Sequence, residues 1–81
     1  MDRATRKECL AAAENVVARV AGDLRWSDRK VARRYRRGDP QVVAMIAAEA
    51  AVEGQKIDPD RLREILQVIL DFILAILAAF L

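Results

Sequence analysis

Glycine and proline occupy only five of the 81 positions, and their spacing divides the chain into segments of helical length. The glycines are Gly22, Gly38 and Gly54, and the prolines are Pro40 and Pro59. The segments between them are rich in Ala and Leu, which have high helix propensity. Glycine is typical just after the last turn of a helix, and proline is typical of the first turn. The sequence therefore predicts a single all-α domain with short connections.

Side chains that cap helices stand where the predicted helices begin. Asp2, Ser27, Asp39 and Asp58 each stand directly before a predicted helix, and the last two are followed directly by proline. We expect one domain over residues 1–81, folded as an orthogonal or irregular bundle with a long central C-terminal helix. A fifth short turn at about residues 23–26 is an alternative. The four predicted helices lie at about residues 3–21, 28–37, 40–53 and 59–81.

Hydrophobic periodicity predicts which residues form the core. Between Val42 and Val52 the only polar residue is Glu49, so we expect the third helix to be buried on most sides. The fourth helix carries an apolar face at intervals of three and four residues. Its expected core residues are Ile65, Leu66, Ile69, Leu70, Ile73, Ile76, Leu77 and Phe80.

The chain has no His and one Cys, which excludes most catalytic apparatus. Without His there is no Ser-His-Asp triad, no Cys-His pair and no imidazole metal ligand. Cys9 lies on the apolar face of the first helix, where a free thiol behaves as a small hydrophobic group. Asp58 and Asp60 stand at the start of the fourth helix, where acidic side chains are favoured by the helix dipole. Glu64 and Asp71 are seven residues apart, about 10 Å along the helix, which is too far for both to bind one ion. We therefore expect no enzyme, no cofactor and no metal site.

The formal net charge of +2 conceals one strongly basic segment. Residues 23–38 carry seven basic and two acidic groups, a net charge of +5. Such a helix can neutralise phosphates, and Trp26 or Tyr35 can stack on bases. A solvated helix face is the simpler interpretation, and nucleic-acid binding is the alternative. The residues that would carry it are Arg29, Lys30, Arg33, Arg34, Arg36 and Arg37.

The junction Gly38-Asp39-Pro40 also resembles the turn of a helix-turn-helix motif. In that motif the second helix enters the major groove and contacts the bases. Here the second helix offers Gln41, Glu49 and Glu53 but no Lys or Arg over residues 40–53. The glycine also lies at the very end of the preceding helix. Both features count against this interpretation.

The last ten residues, from Phe72 to Leu81, are all apolar. Asp60, Glu64, Gln67 and Asp71 form a polar stripe that continues into Leu74, Ala78 and Leu81. One explanation is that the first three helices cover this segment on every side. A second is a self-association surface formed by Leu74, Ala78 and Leu81. A third is a helix at a membrane surface, since ten residues are too few to span a bilayer, which takes about 20.

The segments RRGDPQ and GQKIDPDRL combine a glycine stop with an Asp-Pro start. Trp26 with Val31, and Ile57 with Leu62, have the spacing of a hydrophobic staple. In this agreement of local signals the chain resembles computationally designed all-α proteins with idealised helix-loop-helix junctions. The resemblance implies no catalytic activity, no cofactor and a fold made as a test of fold specification. The 11 Arg against 3 Lys are also typical of a natural gene of high GC content, so that alternative stays open.

We therefore expect a helical scaffold without biochemical activity. Nucleic-acid binding through residues 25–37 is one alternative, and a homo-oligomeric or membrane-surface protein is another. We expect no binding partner other than a second copy of the chain, in a weak homodimer through the C-terminal helix. We expect the chain to bind neither nucleic acid nor a membrane. No signal-peptide pattern is present, so we expect a soluble chain that is cytoplasmic when expressed in bacteria.

Overall fold

Helices account for nearly all of the chain in a computed structural model that describes residues 1–81. There are four α-helices, one short 3₁₀ helix and no strand, which confirms the all-α bundle. The elements are α1 (Arg3–Leu24), α2 (Asp28–Arg36), α3 (Pro40–Ile57), a 3₁₀ turn (Pro59–Arg61) and α4 (Leu62–Ala78).

All four predicted caps are present. Each cap side chain accepts a hydrogen bond from a backbone amide in the first turn, satisfying one of the N–H groups that lack a partner within the helix. At the first cap, the hydrogen bond from the Thr5 amide also lowers the pKa of the Asp2 carboxyl below its ordinary value. The pairs are Asp2 with Thr5, Ser27 with Lys30, Asp39 with Gln41 and Asp58 with Asp60.

The prediction that Gly22 ends the first helix is wrong. Helix α1 continues to Leu24, and the left-handed residue that closes it is Arg25, with φ of 57°. The amide of Trp26 donates to the Ala21 carbonyl at 3.0 Å, and the amide of Arg25 donates to Gly22 at 3.2 Å. These two bonds form a Schellman motif whose usual glycine position holds arginine.

The end of α2 has the same motif with the expected residue. Gly38 has φ of +74°, and its amide donates to the Tyr35 carbonyl at 3.0 Å. The Asp39 amide donates to the Arg34 carbonyl, also at 3.0 Å. Gly38 therefore ends the helix as predicted, although the last helical residue is Arg36 rather than Arg37.

The prediction that Gly54 stops the third helix is also wrong, because α3 continues to Ile57. Gly54 is buried, and a Cβ placed there would lie 3.1 Å from Leu62 Cδ1 and 3.5 Å from Ile65 Cγ2. The glycine therefore allows α3 to approach the start of α4 closely. Asp58, in an extended conformation, ends α3 instead.

The fourth helix is shorter than predicted. Pro59–Arg61 forms the 3₁₀ turn, and α4 proper ends at Ala78. Its 17 residues extend about 26 Å, whereas the 22 residues of α1 extend about 33 Å. The longest dimension of the molecule is 32 Å, so α1 rather than α4 runs its full length. Residues 23–26 form no separate helical turn, because Asp23 and Leu24 belong to α1 and Arg25 closes it. The 3₁₀ turn before α4 is the fifth helical element.

One apolar cluster joins all four helices. Helix α1 supplies seven of its 16 buried residues, and these are small: Cys, Ala and Val. Phe80, expected in the core, is 36% exposed because the helix has ended before it. Leu66, Leu70 and Ile76 pack against the cluster only partly buried. The core residues from α4 are Ile65, Ile69, Ile73 and Leu77.

Helix α3 is less buried than its composition predicts. Val43 and Val52 are 40% and 48% exposed, so the expectation of burial on most sides is wrong. Only one face of α3 packs, and it is tied to α1 by ion pairs at its edge. Arg19 Nη1 lies 2.7 Å from Glu49 Oε2, and Nη2 lies 3.3 Å from Glu53 Oε1. The hydrogen bond to Glu49 raises the pKa of the Arg19 guanidinium above its ordinary value.

Replacement of Ile69 by Ala is expected to lower the free energy of unfolding by about 2–5 kcal/mol, because a fully buried side chain leaves a cavity. The matched control is Leu74→Ala on the exposed face of the same helix, where we expect a change within about 0.5 kcal/mol. Urea unfolding followed by circular dichroism measures both. Equal effects of the two substitutions would contradict the assignment of the core.

The two Schellman motifs give a paired prediction about backbone conformation. Arg25→Gly is expected to stabilise the fold by about 0.5–1 kcal/mol, because it relieves a left-handed arginine. Gly38→Ala is expected to destabilise it by about 1 kcal/mol, since no atom crowds that position and only φ opposes a side chain. Thermal unfolding of the two variants measures whether each one gains or loses stability relative to the parent protein. A loss of stability in Arg25→Gly would show that the arginine side chain matters more than its backbone angle.

Candidate functional site

The candidate site is the groove where α2 lies beside the C-terminal half of α4. Helix α2 has nine residues and extends about 14 Å, so it flanks only part of α4. The groove therefore stays open along the apolar end of the chain. Its lining residues are Ala32, Tyr35 and Arg36 from α2 with Leu74, Leu77, Ala78 and Leu81 from the C-terminal segment.

The apolar side chains of the C-terminal segment are exposed there. Leu74 and Leu81 are 53% and 56% exposed, and Ala78 is exposed between them. The expectation that the other helices cover this segment on every side is therefore wrong. The structure instead brings together and exposes the three residues named for self-association.

The basic side chains of α2 fall into two groups. Arg29, Arg33 and Arg36 are spaced four and three residues apart, which places them within about 60° around the helix axis. Together with Arg37 they are exposed, and none of the four forms an ion pair. This first group is named the outer arginine face.

The second group surrounds Trp26. Lys30 Nζ lies 4.4 Å from the centre of the indole ring, and the Arg34 guanidinium carbon lies 5.5 Å from it. Arg34 also pairs with Asp39 at 3.4 Å. Both distances are within the range of cation–π attraction, so these two cations are engaged in the fold itself.

The aromatic rings that the sequence offered for base stacking are both half-buried. Trp26 packs against the core beneath Lys30 and Arg34, and Tyr35 lines the groove. Neither ring is a free platform beside the outer arginine face. Stacking on Trp26 would require the two cations to move away from the ring.

No group of three or more His, Cys, Asp or Glu side chains lies close enough to hold a metal ion. Glu64 pairs with Arg61 at 2.7 Å, and Asp71 accepts a hydrogen bond from Gln67 at 3.0 Å. Cys9 is fully buried, and this burial raises the pKa of its thiol above the ordinary value. A thiol with a raised pKa is a poor nucleophile at neutral pH.

Sequence reasoning did not place Arg36 in the groove. The sequence places Arg36 beside Ala32 on one side of α2, because the two are four residues apart, but it does not show which helix that side faces. Ala32 is buried and Arg36 is exposed, so this side of α2 runs from the core to the rim of the groove. One cationic residue of the proposed nucleic-acid set thus also borders the proposed self-association surface.

No helix combines the length and the apolar content needed to cross a membrane. No protein-family model matches the chain, and no curated protein or solved structure is detectably similar to it.

Proposed function

We propose that the chain is a helical scaffold without catalytic chemistry, and that a single stable fold is what its sequence specifies. The observation that carries the proposal is a core that is almost entirely apolar: its one buried charged residue, Glu53, pairs with Arg19, and no buried side-chain nitrogen or oxygen lacks a partner. Unpaired groups of this kind are costly, and their absence is typical of a well-specified core.

Two further features support the proposal. The four predicted caps are formed, and 16 buried apolar residues form one continuous cluster. Local signals and global packing therefore agree over most of the chain. Such agreement is the aim of design, and on this ground we propose a designed origin for the scaffold.

A natural origin in a high-GC gene is the alternative, and one junction favours it. Arg25 occupies a left-handed position while Gly22 lies inside α1, three residues too early to relieve it. An idealised junction would place glycine at the left-handed position. The excess of arginine over lysine is the second feature on this side.

Guanidinium unfolding tests the scaffold and its proposed origin separately. We expect a single cooperative transition, with a midpoint above about 5 M because idealised backbones are typically hyperstable. A cooperative transition at a much lower midpoint would contradict a designed origin and leave the scaffold intact. Gradual loss of signal with binding of a hydrophobic dye would contradict the scaffold itself.

The outer arginine face supports a second candidate function, which is binding to nucleic-acid phosphates. Its four exposed guanidinium groups have no acidic partner, so no ion pair must be broken before phosphates are contacted. The rises from Arg29 to Arg33 and from Arg33 to Arg36 are about 6 Å and 4.5 Å along the helix. A row of this kind can contact successive phosphates of one strand without reading the bases.

Fluorescence anisotropy with labelled duplex DNA tests this second function. Four phosphate contacts predict micromolar affinity that falls about a hundredfold between about 50 and 200 mM salt. The variant Arg29→Gln/Arg33→Gln should lower the slope of log affinity against log salt by about two units, because two contacts are lost.

The matched control is Arg3→Gln/Arg63→Gln, which removes the same charge from exposed positions outside α2. Only a small change is expected in the control. If the control weakens binding as much as the α2 variant, then net charge rather than the outer arginine face is responsible. Absence of binding at the lower salt concentration would exclude this function.

A further inference from the structure

The groove between α2 and the C-terminal segment combines an apolar lining with a single cation. Five of its seven lining residues have aliphatic side chains, and the other two are Tyr35 and Arg36. No acidic residue lines the groove. Its volume is about 320 Å³, which is near the lower end of the range for small-molecule sites in proteins. The lining is therefore suited to an apolar body that carries a negative charge.

The charge of Arg36 is not neutralised within the fold. Arg36 forms no ion pair, and the neighbouring Arg37 is also exposed and unpaired. The one acidic residue of α2, Asp28, precedes Arg36 by eight residues, which is about 12 Å along the helix. Asp39, just beyond α2, is already paired with Arg34 at 3.4 Å. The α2 side of the groove therefore attracts an anion.

A carboxylate with a single alkyl chain matches both features of the groove. Its chain would cover aliphatic side chains that are now exposed to water, since Leu74 and Leu81 are each more than half exposed. Its carboxylate would accept two parallel N–H bonds from a guanidinium. A cation with the same chain would find no acidic group in the lining. The groove thus distinguishes ligands by the sign of their charge.

A free amphiphile fits this groove better than an anionic membrane does. Glu64 and Asp71 lie on the same side of α4 as Leu74 and Ala78, because the successive spacings are seven, three and four residues. A bilayer laid along that side would bring both carboxylates against its negative head groups, which is unfavourable. A single amphiphile contacts only the lining residues and leaves these two carboxylates in water.

We propose that the groove between α2 and the C-terminal segment binds a single-chain aliphatic carboxylate, with its chain against the leucines of that segment and its carboxylate on Arg36. The proposal goes beyond the scaffold, because a stable fold requires no ligand. Only seven residues line the groove, so the binding is weak. For a chain of about ten carbons we expect a dissociation constant between about 0.1 and about 1 mM.

Titration with decanoate, followed by the amide resonances of the isotope-labelled chain, tests the site directly. Decanoate below its micelle-forming concentration should shift the amides of residues 32–36 and 74–81. Decyltrimethylammonium has the same chain with the opposite charge, and it should bind at least about tenfold more weakly. Acetate, which is the head group alone, should cause no shift at the same concentrations, because an exposed ion pair contributes little by itself.

Two exposed alanines provide a matched pair of variants. Ala78 lines the groove, whereas Ala48 is exposed on α3 and does not line it. Ala78→Glu should weaken decanoate binding at least about fivefold, because it places a carboxylate beside that of the ligand, and Ala78→Lys should strengthen it about two- to fivefold. Ala48→Glu and Ala48→Lys change the net charge equally and should alter the affinity less than about twofold. Circular dichroism of all four should match the parent.

The role of Arg36 is tested by its own substitutions. Arg36→Gln should weaken decanoate binding about three- to tenfold, and Arg36→Lys should recover only part of the loss, because lysine supplies the charge without the planar fork. The control Arg63→Gln removes the same charge from an exposed position on α4, about 22 Å along the helix from Ala78. It should leave the affinity unchanged. Equal losses in Arg36→Gln and Arg63→Gln would assign the effect to net charge and contradict the role of Arg36.

Three further results would overturn the proposal. The first is equal affinity for decanoate and decyltrimethylammonium, which would show a groove without preference for anions. The second is a groove that ignores decanoate but whose amides shift when the protein alone is concentrated from about 10 µM to about 1 mM, which would assign it to a second copy. The third is a groove that ignores decanoate while the chain sediments with phosphatidylserine vesicles, which would assign it to a membrane. Guanidinium unfolding without ligand measures the scaffold separately, so failure of this proposal leaves the scaffold intact.

Discussion

Burial of one face of α1 is the interaction on which the rest of the structure depends. This helix runs the length of the molecule, packs against the other three and supplies nearly half of the buried cluster. Its buried side chains are no larger than Val, so the helices can approach its backbone closely. Gly54 plays the same part between α3 and α4, where a Cβ would be crowded by Leu62. Small residues therefore set the helix spacing, and the larger isoleucines of α4 fill the space that results.

The exposed surfaces follow from the lengths that this arrangement imposes. Helix α1 has 22 residues and α2 only nine, so the helix that flanks the end of α4 is the shortest of the four α-helices. Its buried residues are Val31 and Ala32, which leaves its basic side chains outside and the far side of α4 uncovered. The outer arginine face and the apolar groove thus have one origin. A short amphipathic helix covers the core with one side and cannot also cover the end of the chain.

Features decided by neighbouring residues could be predicted from the sequence, whereas features decided by packing could not. The four caps depend on a side chain and an amide two or three residues away, so they were predictable. The glycines were not equivalent: Gly38 ends a helix because its backbone is left-handed, but Gly54 serves helix contact and Gly22 does neither. Exposure of Leu74 could be predicted because a polar stripe leads into it. Exposure of Val52 could not, since an Ala- and Val-rich helix has no polar face to indicate its orientation.

The place of Arg36 required the fold, because only packing brings α2 to the end of α4. Residues 23–38 carry +5 and residues 58–81 carry −2, yet no ion pair joins α2 to α4. The acidic residues of α4 are Glu64 and Asp71, and Arg36 is the one basic residue of α2 that lines the groove beside Leu74, Leu77 and Ala78. Exposed charges add little to affinity, so they act chiefly on orientation and choice of partner.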